Sequence, residues 1–260
     1  MNDAPLDLAC ARILISNDDG VEATGLKVLE RIAHVLSTDV WVVAPETEQS
    51  AASHSLTLRV PLRIRELSTR RFAINGTPTD SVLLAVQHIL KDRRPDLVLS
   101  GVNRGGNLGE DVTYSGTIAA AMEGTLLGVP SIALSQYVIH GQRTRWATVE
   151  AHAAAVIRKL VSIRWPKGVL VNVNFPDVPA EQVTGIEVTS QGRRKLGGEL
   201  ERRLDPRGVP YYWIGTMRTE EPSRKGSDLA AIKRGAISVT PLSLDLTHKP
   251  TVAGLRKAFA

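Results

Sequence analysis

Ile13-Leu14-Ile15-Ser16-Asn17-Asp18-Asp19-Gly20 is a short apolar run that stops at two adjacent acids and a glycine, and a helical pattern starts close behind it. Such a run reads as a strand buried on both faces, and the glycine lets the chain turn sharply out of the sheet. Asp18 and Asp19 then sit at the carboxyl edge of that strand, where open α/β sheets bind their ligands. Two carboxylates held side by side repel each other, so a cation is expected between them, and a divalent metal is the natural choice. The competing reading is an ordinary turn, since Asp and Gly are turn formers. Turns rarely need two adjacent acids after a buried strand.

Working outward, Thr24 to Leu36 carries Leu26, Leu29, Ile32, Ala33 and Leu36 on one helical face. Asp39 to Ala44 reads as a second strand ended by Pro45, and Leu56 to Leu67 as one or two edge strands that Phe72 to Ile74 can join. A helix is expected over Pro78 to Leu90, entered through Thr77-Pro78-Thr79-Asp80. Leu97 to Ser100 is a buried strand ending at Gly101, followed by a glycine-rich loop to Tyr114 and a helix over Ile118 to Leu127. Val129 to Ser135, Ala147 to Ile163 and Gly168 to Asn174 continue as strand, helix and strand. This alternation predicts an α/β fold, a Rossmann-like, mostly parallel sheet with helices on both faces. The pattern changes near Pro176, so residues 12–176 form the expected core. Residues 177–260 form a C-terminal region of projecting hairpins (Ile186 to Thr189, Tyr211 to Gly215), a final strand (Ala236 to Pro241) and a terminal helix (Val252 to Phe259), integrated with it. Residues 1–11 read as a loosely attached lead-in.

The 260 residues are 43% hydrophobic, enough for a sizeable core, and carry a net charge of +5, which suits anionic small molecules and nucleic acid alike. The Arg193-Arg194-Lys195 and Arg202-Arg203 clusters read as solvated faces. A single cysteine, Cys10, excludes an internal disulfide framework and a thiolate metal cluster. The amino terminus lacks a basic region and a long apolar stretch, and the most apolar segment, Gly116 to Ser135, is interrupted by Glu123 and Pro130. No membrane span and a cytoplasmic location are therefore expected.

A metal at Asp18 and Asp19 needs further oxygen ligands at the same edge. Two loops follow strands of the same kind: Ser50 to Ser55, and Ser100 to Gly109 with Asn103 and Asn107. Carboxylate, hydroxyl and amide oxygens are hard ligands, which points to magnesium or manganese. Tyr114-Ser115-Gly116-Thr117 opens a helix, and small residues there expose backbone N–H groups to an anion. Plain N-capping is the alternative. With a metal at the neighbouring strand ends, a phosphate bridging metal and helix terminus explains the pattern better. The histidines, His34, His54, His88, His140, His152 and His248, show no metal-ligand spacing; His54 alone is near the site and reads as loop packing. No Gly-x-Ser-x-Gly occurs, and glycines 101, 105, 106 and 109 do not have dinucleotide-binding spacing.

The stretches SNDDG, APETEQSAASHSLTL, NGTPTDSV, SGVNRGGNLGEDVTYSGTIAAAMEG and VNVNFP, in this order, resemble the SurE family of metal-dependent nucleotidases across residues 12–245. The resemblance implies hydrolysis of nucleoside 5′- and 3′-monophosphates, and of short polyphosphate, with one divalent ion, magnesium or manganese, per subunit. Matched motif by motif, the metal ligands fall on Asp18, Asp19, Ser50 and Asn103, with Asp18 and Asp19 also the catalytic pair. The phosphate-pocket positions fall on Asn107, Ser115, Gly116 and Thr117. A homodimer or homotetramer is implied, exchanging C-terminal elements. Gly226-Ser227-Asp228 is a candidate to reach the site of the same or a neighbouring subunit. Ala51 stands where many members have Gly, and Ser81 where Cys is frequent. The rival class is a non-enzymatic module, receiver-like and magnesium-binding, or a nucleic-acid binder using residues 193–203. Nucleic acid is disfavoured because no stacking aromatics alternate with the basic residues.

Overall fold

In β1 (Arg12–Ser16) the side chains alternate across the sheet. Ile13 and Ile15 enter one apolar cluster and Leu14 another, and all three are fully buried. The computed structural model describes residues 6–139, 141–163, 166–196, 200–215, 218–220 and 224–260; His140 lies outside them. The chain continues through α1 (Thr24–Leu36), β2 (Asp39–Pro45), β3 (Ile64–Ser68), β4 (Arg71–Ile74), α2 (Pro78–Leu84), β5 (Leu97–Arg104) and α3 (Gly116–Leu126). It then runs through β6 (Ser131–Gln136), α4 (Trp146–Val161), β7 (Val169–Phe175), β8 (Ile186–Val188) and β9 (Arg194–Leu196). The remaining elements are β10 (Leu200–Leu204), β11 (Pro210–Ile214), β12 (Arg218–Glu220), α5 (Asp228–Lys233), β13 (Ile237–Ser243) and α6 (Lys249–Ala258).

Among the described residues nine strands form one sheet in the order β3-β4-β2-β1-β5-β6-β7-β13-β8. The pairs from β4 to β7 are parallel, as the βαβ pattern requires; β3 with β4 and β13 with β7 are antiparallel. Helices α1 and α4 cover one face, where Leu26, Leu29, Ile32, Ala153 and Ile157 meet Ile13, Ile15, Leu97 and Leu99. On the other face, Val82 of α2 and Ala120 of α3 meet Leu14, Val43 and Val98. The chain leaves β1 toward β2 on one side and returns to β5 on the other. The crevice between β1 and β5 is therefore the topological switch point, where sheets of this type bind ligands.

Several expectations need correction. The lead-in is docked from residue 6 onward: the Leu6 N–H donates to Val161 O at 3.3 Å and Leu8 joins the α1/α4 core. Residues 56–63 form no strand; β3 starts at Ile64 and turns back onto β4 as a hairpin. The regular α2 stops at Leu84 and passes into one π-helical turn, Ala85–Ile89. β5 does not end at Gly101 but reaches Arg104, with a register shift against β6 between Ser100 and Asn103. Ile186 to Thr189 is no projecting hairpin, since β8 pairs parallel to β13 at the sheet edge. The ribbon formed by β10 and β11 does project, with Tyr211, Tyr212, Trp213 and Ile214 exposed. Helix α5 was not foreseen, and α6 begins three residues early.

Local chemistry sets the helix starts. Thr77 accepts from the Asp80 N–H at 3.1 Å while the Asp80 carboxylate accepts from the Thr77 N–H at 2.9 Å, a reciprocal cap with Pro78 in the first turn. Thr77→Ala is expected to lower unfolding free energy by about 1 kcal/mol. Urea denaturation checks this, and an unchanged midpoint would show the cap to be dispensable.

Candidate active site

Asp18 and Asp19 leave β1 at its carboxyl end, and the turn through Gly20, at φ 99°, returns the chain toward α1. The loop after β2 folds over them. The Gln49 N–H donates to the Asp18 carbonyl at 2.8 Å, which brings Ser50 beside the acids. From the other side comes the start of α3. The Thr117 hydroxyl donates to Asp18 Oδ1 at 2.6 Å. Gly116 is required by this approach: a Cβ there would lie 2.6 Å from the Cβ of Asp18. One glycine thus permits the carboxylate to rest against a helix N-terminus, where the dipole favours a negative charge.

That support does not cancel the cost of burial. Burial pushes the Asp18 carboxyl up from its ordinary value, against the Thr117 hydrogen bonds that pull it down. Burial, and then the charge of Asp18, push Asp19 up to about 6, with the Arg104 N–H acting the other way. Glu48 adds a third negative charge that raises both. A dication is the group that would relieve all three repulsions at once.

The neutral oxygens fit the same role. Among the described residues no three His, Cys, Asp or Glu side chains gather into a metal cluster, so an ion here needs oxygen from serine or asparagine. Ser50 uses its proton on Glu48 Oε1 at 2.6 Å, which leaves its oxygen lone pairs to ligate. Asn103, on the extended end of β5, donates through Nδ2 to Gly105 O at 2.9 Å and keeps its amide oxygen. Two carboxylates, a hydroxyl and an amide oxygen form a hard donor set suited to magnesium or manganese.

The remaining predicted positions sit behind this set. Ser115 caps α3, accepting from the Ile118 N–H at 3.1 Å, and its own proton stays available. Gly116 opens the helix, so its N–H has no partner within it. Thr117 has spent its hydroxyl on Asp18. Asn107 is held by two buried asparagines of β7: its N–H donates to Asn174 Oδ1 at 2.9 Å, and its carbonyl accepts from Asn172 Nδ2 at 2.8 Å. Its side chain donates to Ser135 Oγ at 2.9 Å and retains a second amide hydrogen.

Sequence reasoning missed several supporting groups. Asn172 and Asn174, two apart in an apolar strand, share a face by period-two alternation, a signal that was present. Asp228 does not reach the acids; buried, it accepts from the N–H groups of Gly109 and Gly192, each at 2.8 Å. Arg194 is no solvated charge, since it is buried in an ion pair with Asp111. The region after residue 185 therefore braces the loop between β5 and α3. His54 Nε2 lies 3.0 Å from the buried Glu123 carboxylate of α3, and the Ser53 N–H donates to Tyr114 O at 3.3 Å. These contacts fasten the far end of the Ser50 loop to the α3 region, while Gln49 ties its near end to Asp18. Ala51, within the loop, holds φ at 60°, a left-handed conformation that costs a non-glycine residue about 1–2 kcal/mol.

Comparison with known proteins adds the following. The family model described as survival protein SurE matches residues 13–198. A 5′-nucleotidase SurE from Paramagnetospirillum magneticum is 64% identical over 97% of this chain and 97% of its own length. The 5′-nucleotidase SurE of Rhodospirillum rubrum is 58% identical over 97% and 98%. The crystal structure of a SurE protein from Aquifex aeolicus superposes with a TM-score of 0.84 at 38% identity, covering 96% of this chain and all of that one.

The raised carboxyls predict a pH signature in the protein stripped of divalent ions. A carboxyl whose folded pKa exceeds its unfolded value stabilises the fold below the unfolded value and loses that contribution as pH rises through the folded one. For Asp19 the window runs from 3.8 to about 6. Relative to wild type, Asp19→Asn is expected to gain melting temperature progressively across that window in chelator. A constant difference from pH 4 to 7.5 would exclude the electrostatic strain.

Proposed function

The chain belongs to the SurE family, and from that premise we propose that it is a divalent-metal-dependent 5′-nucleotidase, hydrolysing nucleoside 5′-monophosphates to nucleoside and phosphate. Activity on 3′-monophosphates and short polyphosphate belongs to the same proposal. The observation that carries it is the pair Asp18 and Asp19 at the β1/β5 crevice, both driven toward protonation unless a cation joins them.

Asp18, Asp19, Ser50 and Asn103 are the proposed ligands of one magnesium or manganese ion. When bound, such an ion supplies Lewis acidity to a phosphoryl oxygen and makes a water acidic enough to attack at neutral pH. The chain's own residues do the rest. Thr117 and Gly116 fix Asp18 in one orientation, so its charge is delivered without rearrangement. Asp19, less buried and more basic than an ordinary aspartate, is suited to accept the proton of the attacking water. The Ser115 hydroxyl, the Gly116 N–H and the second amide hydrogen of Asn107 are donors for the equatorial phosphoryl oxygens, over which charge spreads in the transition state. Thr117 serves that pocket indirectly, through Asp18.

The β10–β11 ribbon is proposed to join subunits into a homodimer or homotetramer. Its five-residue strands carry Tyr211, Tyr212, Trp213 and Ile214, all exposed, and a two-stranded ribbon alone is marginally stable in water. Among the described residues no helix is long and apolar enough to cross a membrane.

Asp18→Asn and Asp19→Asn are each expected to abolish phosphate release from 5′-AMP and from an aryl phosphate while leaving the circular dichroism spectrum unchanged. Metal-dependent turnover retained in both would end the mechanism, and a non-enzymatic metal-binding module would release no phosphate even as wild type. Light scattering at micromolar concentration should give a dimer or tetramer that Trp213→Ser with Ile214→Ser weakens. A wild-type monomer would remove the assembly role.

A further inference from the structure

Beside Asp19, on the side away from α3, the surface opens into a cleft of ≈ 460 Å³ whose walls include Thr24, Arg104, Arg143, Thr144 and Trp146. It lies outside the donor set described above except for sharing Asp19. Arg104 ends β5, one residue beyond Asn103, and Arg143 stands on the connection between β6 and α4. The two guanidiniums thus approach the same concavity from different elements.

Both are exposed, and among the described residues neither side chain forms a close ion pair or hydrogen bond, although the Arg104 charge does act on Asp19 in the same cleft. Their arginine neighbours behave differently. Arg145, two residues on, lies 3.1 Å from Asp177, and Arg194 is committed to Asp111. Arg71 is likewise paired, at 2.8 Å, with Glu30. The connection bearing Arg143 is anchored, because the Ile139 N–H donates to Asp177 Oδ2 at 2.9 Å and the Gln142 N–H to Ile139 O at 3.0 Å. Trp146 is fixed as well; its ring packs against Gly25 and the α1/α4 core. An anchored wall that presents one uncommitted cation, opposite a second, is a site for an anion. The indole beside them supplies a flat apolar surface of the kind on which bases and guanidiniums stack.

The direction of the reaction says which part of a substrate this is. The phosphate to be cleaved belongs at Asp18, Asp19 and the α3 start, so what extends into the cleft is the leaving group. A nucleoside with a free 3′-hydroxyl gives two guanidiniums nothing to neutralise. We propose that the cleft receives a leaving group carrying a second phosphate, as in a nucleoside 3′,5′-bisphosphate, with Arg104 and Arg143 on the phosphate that is retained and Trp146 beside the base. The reaction adds water across the 5′ ester: a water oxygen bonds to phosphorus, the bond from phosphorus to O5′ breaks, and a proton passes to O5′. Inorganic phosphate and a nucleoside 3′-monophosphate leave. This rests on the nucleotidase reading and narrows its substrate class. An inorganic polyphosphate chain shares the second phosphate but has no base, so the test separates the two.

The test compares kcat/KM for adenosine 3′,5′-bisphosphate, 5′-AMP and tripolyphosphate in wild type, Arg143→Ala, Arg143→Lys and Arg104→Ala/Arg143→Ala. Calorimetric binding of the same compounds is measured alongside. Wild type is expected to favour the bisphosphate over 5′-AMP by about tenfold or more, the scale of a charge-assisted contact or two. That ratio should fall several-fold in Arg143→Ala, recover in Arg143→Lys and approach unity in the double variant. Equal handling of both nucleotides by wild type overturns the proposal. So does an equal loss on both, which is general electrostatic attraction, or a loss confined to tripolyphosphate, which puts a phosphate chain in the cleft. If 5′-AMP itself is not hydrolysed, the nucleotidase reading fails separately, and the bisphosphate-to-AMP binding ratio still decides the cleft.

Discussion

The Asp18 carboxylate lies buried against the first turn of α3, gripped by the Thr117 hydroxyl and admitted by the missing side chain of Gly116. A charge in that position is tolerable only because a helix start and a hydroxyl face it, and even so burial outweighs them. Asp19 beside it is strained by the same burial and by its neighbour's charge. The protein therefore carries a concentrated negative potential at one point of an otherwise basic chain. Such a point is costly to fold, and a cation would relieve it.

Much of the remaining architecture keeps oxygen and N–H groups facing that point. The switch from β2 back to β5 sets two strand ends side by side, so the acids after β1 and Asn103 on β5 share one crevice. The loop carrying Ser50 is tied to the Asp18 backbone at one end and to α3 through Ser53 and His54 near the other. The loop between β5 and α3 is supported from beneath by Asn172 and Asn174 and from the side by Asp228 and Arg194. Buried polar groups that are paired fix a single arrangement more firmly than apolar packing, and here the Asn172, Asn174 and Asp228 contacts fix the loop between β5 and α3.

The cations follow a complementary logic. Arg71, Arg145 and Arg194 are matched to carboxylates, whereas Arg143 has no ion pair among the described residues and Arg104 acts on Asp19 without a close one. Matching by a substrate rather than by the fold gives a reason for leaving them exposed around one cleft. The exposed aromatic ribbon at the far end of the chain shows the same economy in apolar terms: Trp213 and Ile214 bury little within their own two strands.

The sequence by itself determined whatever rests on local pattern. Apolar runs of fixed period gave β1, α1, β2 and β7 nearly to the residue, the Thr77–Asp80 pairing announced the start of α2, and SNDDG marked the acids at a strand end. The loops over residues 50–55 and 100–109 and the α3 start were legible as candidates because hard oxygen donors and small residues follow strands there, while the choice of Ser50, Asn103 and Asn107 within them came from the resemblance to the SurE family. What only tertiary structure decided were relations between segments far apart in sequence. The extension of β5 to Arg104 depends on its pairing with β6, and β8 became a sheet strand because β13 lay beside it. Asp228 and Arg194 became braces only when the chain brought them 119 and 83 residues back to Gly109 and Asp111. Periodicity reports which face of an element is apolar. It carries no information about which distant polar group will meet a given N–H, because that pairing is set by where the folded backbone places both.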